Sequence, residues 1–238
     1  MKRSSAGRES LEELEYQQRK LEMIKKRRKQ SRIRRMKRRI FRMAAVLVLT
    51  AAVFFVVISL SRFSFFRGHI DVAEIEMPDW IQQEYIEPNP NSRPQTPLRE
   101  VNGVVVHYVG NPGTTAQQNQ SYFNSLAQTH ENYASSHFII GMDGEIIQCI
   151  PMDEIAYCSN ERNYDTLSIE CCHPDDTGEF TEETYASLIK LTQWLCETFR
   201  LDTSQDVIRH YDVTGKECPR YYVNHPEAWE QFISDLSL

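Results

Sequence analysis

The chain has 238 residues, of which 27 are Lys or Arg and 33 are Asp or Glu, and its formal net charge is -6. The charge is uneven, because residues 1–42 carry 17 basic and 5 acidic side chains while the rest carry 10 basic and 28 acidic ones. This length leaves room for one sizeable domain with appendages, and the basic run excludes residues 1–42 from any hydrophobic core.

An apolar stretch follows the basic tail directly. Residues 43–61 contain no charged side chain, and 19 residues are about enough for a helix to cross a bilayer. Twelve Lys or Arg lie in residues 24–42, against two just beyond the stretch. The positive-inside rule then predicts a single-pass anchor in the cytoplasmic membrane, with the N-terminus in the cytoplasm and the remaining chain outside. This arrangement is favoured over nucleic-acid binding by the tail, and no nucleic-acid partner is expected.

A cleaved signal peptide is the alternative to an anchor. Its basic region would be unusually long here, and residues 59–61 form a poor cleavage site.

Residues 62–100 are then expected to be an extracytoplasmic linker, because five prolines disfavour regular structure. Trp80, Ile81 and Tyr85 are apolar enough for part of this linker to pack on the domain.

The folded domain is expected to cover residues 101–238. Short apolar runs at 104–107, 137–140, 145–150, 166–172 and 207–210 predict strands, and Asp143 with Gly144 indicates a hairpin turn. Helices are predicted after Thr114 or Thr115, over residues 181–199, and from Pro226 onward. Strands and helices alternate, so the fold class is α/β or α+β with one central sheet.

Three side chains form a candidate metal site. His210 and Cys218 lie eight residues apart across a Thr-Gly turn, and His107 stands at the C-terminal end of a predicted strand. Two imidazoles and one thiolate are zinc ligands that leave one coordination position open. The alternative is that Cys218 is simply a buried cysteine. His137 is a weaker candidate, since an imidazole in an apolar strand is typical of a hydrogen-bonded core residue.

Four motifs in order carry a resemblance to a known family. They are V-N-G-V-V-V-H-Y-V-G, S-S-H-F-I-I-G-M-D-G-E-I-I-Q, D-T-L-S-I-E and R-H-Y-D-V-T-G-K-E-C-P, and together they cover about residues 100–235. They resemble the type 2 N-acetylmuramoyl-L-alanine amidases, zinc enzymes related to phage lysozyme amidases and peptidoglycan-recognition proteins. The resemblance implies a central mixed sheet flanked by helices and Zn²⁺ as cofactor. It also implies a bacterial cell-wall hydrolase that cleaves the amide between the lactyl group of N-acetylmuramic acid and L-alanine in peptidoglycan.

The resemblance also implies roles for individual residues. His107, His210 and Cys218 match the zinc ligands. Lys216 matches the catalytic lysine of the family, and Glu170 matches the glutamate of its bacterial branch. The phage branch has a tyrosine immediately before the residue that matches His137.

This chain has Ser136 at that place, which shifts the catalytic load to Glu170. Ser136 and His137 are expected to support the ligands or contact substrate.

The expected chemistry gives each group a task. Zinc lowers the pKa of bound water to about 7, Glu170 can move the proton, and Lys216 can stabilise the oxyanion. The plainer interpretations are that Glu170 pairs with an arginine and that Lys216 is a solvated loop residue.

A second functional hypothesis remains beside the enzyme. The chain could be a recognition module that binds muropeptide in the same groove without catalysis. The complete ligand set favours the amidase.

The remaining cysteines are Cys149, Cys158, Cys171, Cys172 and Cys196. They are odd in number, so at least one of them is expected to lack a partner within the chain.

Overall fold

The computed structural model describes residues 70–237 and, before them, the helical positions 20, 23, 25–27, 29–30, 32, 34–37, 40–43, 46–50 and 54. The chain separates into two compact units, Met1–Phe66 and Arg67–Leu238. The second unit holds all the strands and helices that position the candidate site, and it is the folded domain discussed below.

One mixed sheet forms the centre of this domain. Its strands are β1 (Ile81–Gln83), β2 (Val104–Tyr108), β3 (Phe138–Ile140), β4 (Ile146–Gln148), β5 (Leu167–Cys171) and β6 (Val207–Arg209). Their spatial order is β1-β4-β3-β5-β2-β6. The β3–β4 pair is antiparallel, whereas the other four neighbouring pairs are parallel. The predicted α/β class with a central mixed sheet flanked by helices is confirmed.

The helices begin at recognisable capping residues. They are α1 (Ala116–Thr129), α2 (Glu182–Phe199), α3 (His210–Thr214), α4 (Arg220–Asn224) and α5 (Pro226–Asp235), with short 3-10 helices at Val72–Glu74 and Asn160–Tyr164. The Thr115 hydroxyl accepts a hydrogen bond from the Gln118 backbone, and the Gln118 side chain accepts one from the Thr115 backbone. Thr181 caps α2 in a similar way through the Thr184 backbone. Both starts agree with the sequence prediction, because threonine oxygens satisfy the first unpaired N–H groups of a helix.

The two faces of the sheet contact different helices. Val104 and Val106 of β2 belong to the larger buried cluster, together with α2 residues such as Leu191. The opposite face carries a smaller cluster that includes Phe123 of α1 and Ile139 of β3. Side chains alternate along a strand, so odd-numbered positions of β2 lie on the α1 face. On this face α1 packs against β3 and β4, whereas α3 approaches β2, β6 and the second 3-10 helix.

Part of the expected linker belongs to the domain. Residues 81–83 form β1, which pairs in parallel with β4 at the edge of the sheet. Ile86 and Leu98 are buried, and Arg93 forms an ion pair with Glu154 at 2.7 Å. Burial of these apolar side chains therefore outweighs the proline content, and at least residues 81–98 pack on the domain.

The predicted membrane anchor is wrong. Among the residues that the structure describes, no helix combines the length and the apolar character needed to cross a bilayer. The longest described run within residues 43–61 is 46–50, whereas a span needs about 20 residues. Positions 44–45, 51–53 and 55–61 lie outside the described residues. The inferred orientation, with a cytoplasmic N-terminus, an extracytoplasmic domain and the cytoplasmic membrane as partner, loses its support with the anchor.

Candidate metal centre and active site

Neighbouring parallel strands place His107 and Glu170 side by side. In the β2–β5 pair, His107 is the register partner of Glu170. Register partners in a parallel sheet project from the same face, and both residues alternate with Val106 and Ile169 of the larger core. The Glu170 carboxyl group and the His107 imidazole are thus fixed on rigid strands, on the face where α3 approaches the sheet.

The chain after β6 returns to the same place. His210 directly follows β6 and begins α3, which ends at Gly215 in the left-handed conformation (φ 76°). The turn lets the chain reverse, and the Tyr211 backbone N–H donates to the Cys218 carbonyl at 2.9 Å. The sequence pattern predicts a strand over 207–210 and no helix between it and Pro226, but the five residues His210–Thr214 are helical. This local fold brings Cys218 back beneath His210.

The three predicted ligands converge. One nitrogen from each histidine and the Cys218 sulfur all lie within 4.8 Å of one another. His107 Nδ1 is 3.8 Å from Cys218 Sγ, and the two imidazole ring centroids are 4.6 Å apart. All three side chains are buried, with exposed fractions of 1, 6 and 2% for His107, His210 and Cys218. Nitrogen and sulfur donors gathered in this way form a plausible site for a single metal ion.

The outer nitrogens of both histidines are already occupied. His107 Nε2 lies 3.0 Å from Ser159 Oγ, and His210 Nε2 lies 2.9 Å from Asn160 Oδ1. In contrast, His210 Nδ1 is buried and has no hydrogen-bond partner among the described residues. A buried polar atom without a hydrogen-bond partner costs free energy. A metal ion bound at His210 Nδ1 would supply the missing partner.

Burial sets the protonation of the ligand atoms. It lowers the pKa of His107 well below its usual value, and the neighbouring His210 and Lys216 lower it further. Burial and Lys216 also lower the pKa of His210. Both imidazoles are therefore neutral at pH 7, which is the form that binds metal. Burial raises the pKa of Cys218 to about 12, so its thiolate requires a cation to stabilise it.

Glu170 has the properties of a proton carrier. Burial raises its pKa from 4.5 to about 8, although the Cys158 hydrogen bond and Lys216 oppose the shift. Its Oε1 accepts a hydrogen bond from Cys158 Sγ at 3.5 Å, and its Oε2 is buried with no partner in the described part of the chain. A carboxyl group with a pKa near neutrality can both accept and return a proton.

Sequence reasoning missed Cys158, Ser159 and Asn160, three consecutive residues that contact the site. Cys158 also belongs to a second cluster of possible metal ligands, with His107 and Glu170. These residues precede and open the 3-10 helix Asn160–Tyr164, where no periodic pattern marks them. The sequence offers no specific signal for them, because they open a longer polar stretch that continues to Thr166.

A family model for N-acetylmuramoyl-L-alanine amidase matches residues 97–221, just over half of the chain. The chain belongs to this amidase family. The resemblance predicted from the four motifs is therefore confirmed, and the matched segment contains His107, Glu170, His210 and Cys218.

Curated relatives are similar to more than half of this amidase-family chain. It is 32% identical over 155 residues to a probable N-acetylmuramoyl-L-alanine amidase from Bacillus licheniformis. It is also 32% identical over 168 residues to the N-acetylmuramoyl-L-alanine amidase BlyA from Bacillus subtilis (strain 168). The matches include 60 and 62% of this chain, but 43 and 44% of the relatives. The chain thus spans less than half the length of these proteins.

Solved structures share the fold. The catalytic domain of XlyA has a TM-score of 0.56 and 24% identity, with 66% of this chain and 98% of that domain covered. A mutant endolysin from Bacillus subtilis has the same TM-score and identity, with 66% and 97% covered. These likenesses establish a common architecture for the amidase-family domain.

Two predicted supporting residues, Ser136 and His137, directly precede β3. His137 is buried, accepts a hydrogen bond from the Ser168 backbone at Nδ1, and places Nε2 2.9 Å from the Glu154 carbonyl. Burial lowers the pKa of His137 to about 4, so it is neutral. The Ser136 hydroxyl donates to the Phe138 and Ser168 carbonyls at 3.0 Å. These hydrogen bonds connect the residues before β3 to β5, so His137 and Ser136 both have structural contacts.

Lys216 and the six cysteines are the remaining residues that the sequence singles out. Lys216 is exposed, but its positive charge adds to the lowering of the pKa of both histidines and opposes the burial that raises the pKa of Glu170. None of the six cysteines, all within residues 70–237, forms a disulfide. Cys218 is therefore available as a ligand in this structure.

Proposed function

We propose that this chain is a zinc-dependent N-acetylmuramoyl-L-alanine amidase. Its substrate is peptidoglycan or a muropeptide, in which it hydrolyses the amide between the lactyl group of N-acetylmuramic acid and L-alanine. The observation that carries the proposal is the convergence of His107, His210 and Cys218 beside Glu170 on one face of the sheet. Family membership supports the substrate class.

The residues present fit a zinc ion. His210 Nδ1 is buried and has no hydrogen-bond partner within the described residues, and His107 Nδ1 lies 3.8 Å from the Cys218 sulfur. His107, His210 and Cys218 would hold the metal, and two nitrogens with one thiolate leave a fourth position for the reacting group. When bound, zinc supplies Lewis acidity, which activates water and polarises the scissile carbonyl.

Glu170 carries the proton through the reaction. It accepts a proton from the attacking water as the water oxygen forms a bond to the lactyl carbonyl carbon. It then returns the proton to the nitrogen of L-alanine as the C–N bond breaks, so the products are a carboxyl group and a free amine. The ionised carboxylate accepts the proton and the carboxylic acid returns it, and Oε2, which has no hydrogen-bond partner among the described residues, is available to the reacting molecule.

Lys216 stabilises the negative charge that develops on the carbonyl oxygen. It lies in the turn between α3 and Cys218, where its exposed side chain can approach a substrate without breaking internal contacts. A positive charge aimed at a developing oxyanion lowers the barrier more than it strengthens substrate binding.

The direct test is digestion of purified peptidoglycan by the protein. We expect new amino-terminal L-alanine on released stem peptides, loss of this release on chelation and recovery when zinc is returned. Cys218→Ser serves as the control that lacks a ligand. Binding of muropeptide without release of L-alanine termini would contradict the proposal and favour a recognition module.

A further inference from the structure

One short segment contacts three of the proposed functional groups. Cys158 Sγ donates to Glu170 Oε1, and Ser159 Oγ lies 3.0 Å from His107 Nε2. Asn160 Oδ1 lies 2.9 Å from His210 Nε2. Three consecutive residues thus contact Glu170 and both imidazoles, and the contacts to the imidazoles are made at Nε2.

The Asn160 contact determines which His210 nitrogen carries the proton. A carboxamide oxygen can only accept a hydrogen bond, so His210 Nε2 must be the donor. In a neutral imidazole, a proton on Nε2 leaves the lone pair of Nδ1 available. Nδ1 is buried and has no hydrogen-bond partner in the described part of the chain. Asn160 therefore selects the tautomer that can bind a metal.

The segment is held in place by its own contacts. The Asn163 Oδ1 atom accepts backbone N–H bonds from Cys158 at 3.1 Å and from Ser159 at 2.6 Å. Asn160 adopts a left-handed backbone conformation (φ 55°), which is unfavourable for most side chains other than glycine and asparagine. This conformation directs the carboxamide at His210 while the residue itself remains exposed.

We propose that residues 158–163 are a positioning segment for the zinc centre. Within this segment Asn160 has the largest effect, because it orients His210. The inference rests on the proposed zinc amidase function, and it adds the groups that orient the ligands. Asn160 fixes the His210 tautomer, Ser159 supports His107, and Asn163 keeps the segment in register with both. Partners of this kind hold ligating histidines in their binding orientation, and their loss typically weakens metal affinity by about 10–100-fold.

A matched pair of variants isolates the acceptor oxygen. Asn160→Gly removes the carboxamide but accommodates the left-handed backbone, whereas Asn160→Asp retains an oxygen that accepts from His210. Gln95→Gly is the control, because Gln95 is exposed and has a similar φ of 56° elsewhere in the domain. Zinc affinity is measured by competition with a chromophoric chelator, and unfolding of the metal-free proteins is followed in parallel.

We expect Asn160→Gly to bind zinc about 10–100-fold more weakly than the wild type, while Asn160→Asp and Gln95→Gly keep its affinity. The metal-free variants should unfold at the wild-type midpoint. Equal zinc affinity of Asn160→Gly and the wild type would overturn the positioning role, as would an Asp variant as weak as the Gly variant. A wild-type protein that fails to bind zinc would instead overturn the proposed function itself.

Discussion

Replacing Glu170 by Gln should reduce activity and stabilise the metal-free protein in a pH-dependent way. The folded protein holds the Glu170 proton up to a pKa of about 8, whereas the unfolded chain releases it near 4.5. Stability is therefore lost as the pH rises from 4.5 to 8, because only the unfolded state gains the favourable ionised form. At pH 7 the loss is about 3.5 kcal/mol, from roughly 2.5 pH units at about 1.4 kcal/mol each. Gln does not ionise, so the variant avoids this loss.

The assay compares thermal unfolding of both metal-free proteins near pH 4 and at pH 7. A difference of about 3.5 kcal/mol corresponds to a shift of about 7–14 °C in a domain of this size at pH 7, and it should vanish near pH 4. In the zinc-loaded proteins, kcat should fall by about 10²–10⁴-fold, the usual effect of losing a proton carrier, while zinc content stays equal. Glu131→Gln, on an exposed side chain, is the control and should change neither quantity.

Two results would refute this reasoning. The first is that the stability of the Gln variant relative to the wild type does not increase between pH 4 and pH 7. Glu170 would then already be ionised in the folded protein, and its burial would be less costly than the structure indicates. If the variant keeps wild-type turnover, the carboxyl group is structural and another group moves the proton.

Three further substitutions test other parts of the site and the core. Cys218→Ser should lose both zinc and activity, and labelling of native Cys218 with a thiol reagent should succeed only after chelation; reactivity in the zinc-loaded protein would contradict its role as a ligand. Lys216→Met should lower kcat by about 10²–10³-fold at unchanged zinc content, whereas an increase in KM alone would assign Lys216 to substrate binding. Phe232→Ala should destabilise the domain by about 3–5 kcal/mol in denaturant unfolding, because Phe232 is fully buried in α5; a smaller cost would show that the core closes around the cavity.

Sequence patterns predicted the parts of this fold that depend on local chemistry. Thr115 and Thr181 mark helix starts because their hydroxyls cap backbone N–H groups. The turn at Gly144 is visible because its positive φ favours glycine. The apolar runs before His107 and around Glu170 identify strands, but only the β2–β5 register places these two residues side by side.

Features that depend on contacts between distant segments were not predictable in this way. Strand β1 has three residues, one of them buried, and its pairing with β4 is set by the whole sheet. The five-residue helices α3 and α4 are too short to show a helical period. Cys158, Ser159 and Asn160 act through side-chain hydrogen bonds from an irregular segment, so no spacing rule connects them with the histidines. The membrane anchor was inferred from hydropathy and charge alone, and no described helix supports it.

We expect His107, His210 and Cys218 to hold one zinc ion beside Glu170. X-ray absorption at the zinc edge of the loaded protein tests this arrangement directly, because sulfur and nitrogen ligands differ in distance. We expect one sulfur at about 2.3 Å and two imidazole nitrogens at about 2.0–2.1 Å, with the sulfur lost in Cys218→Ser. A shell of nitrogen and oxygen alone, or one with two sulfurs, would contradict the assignment of the ligands.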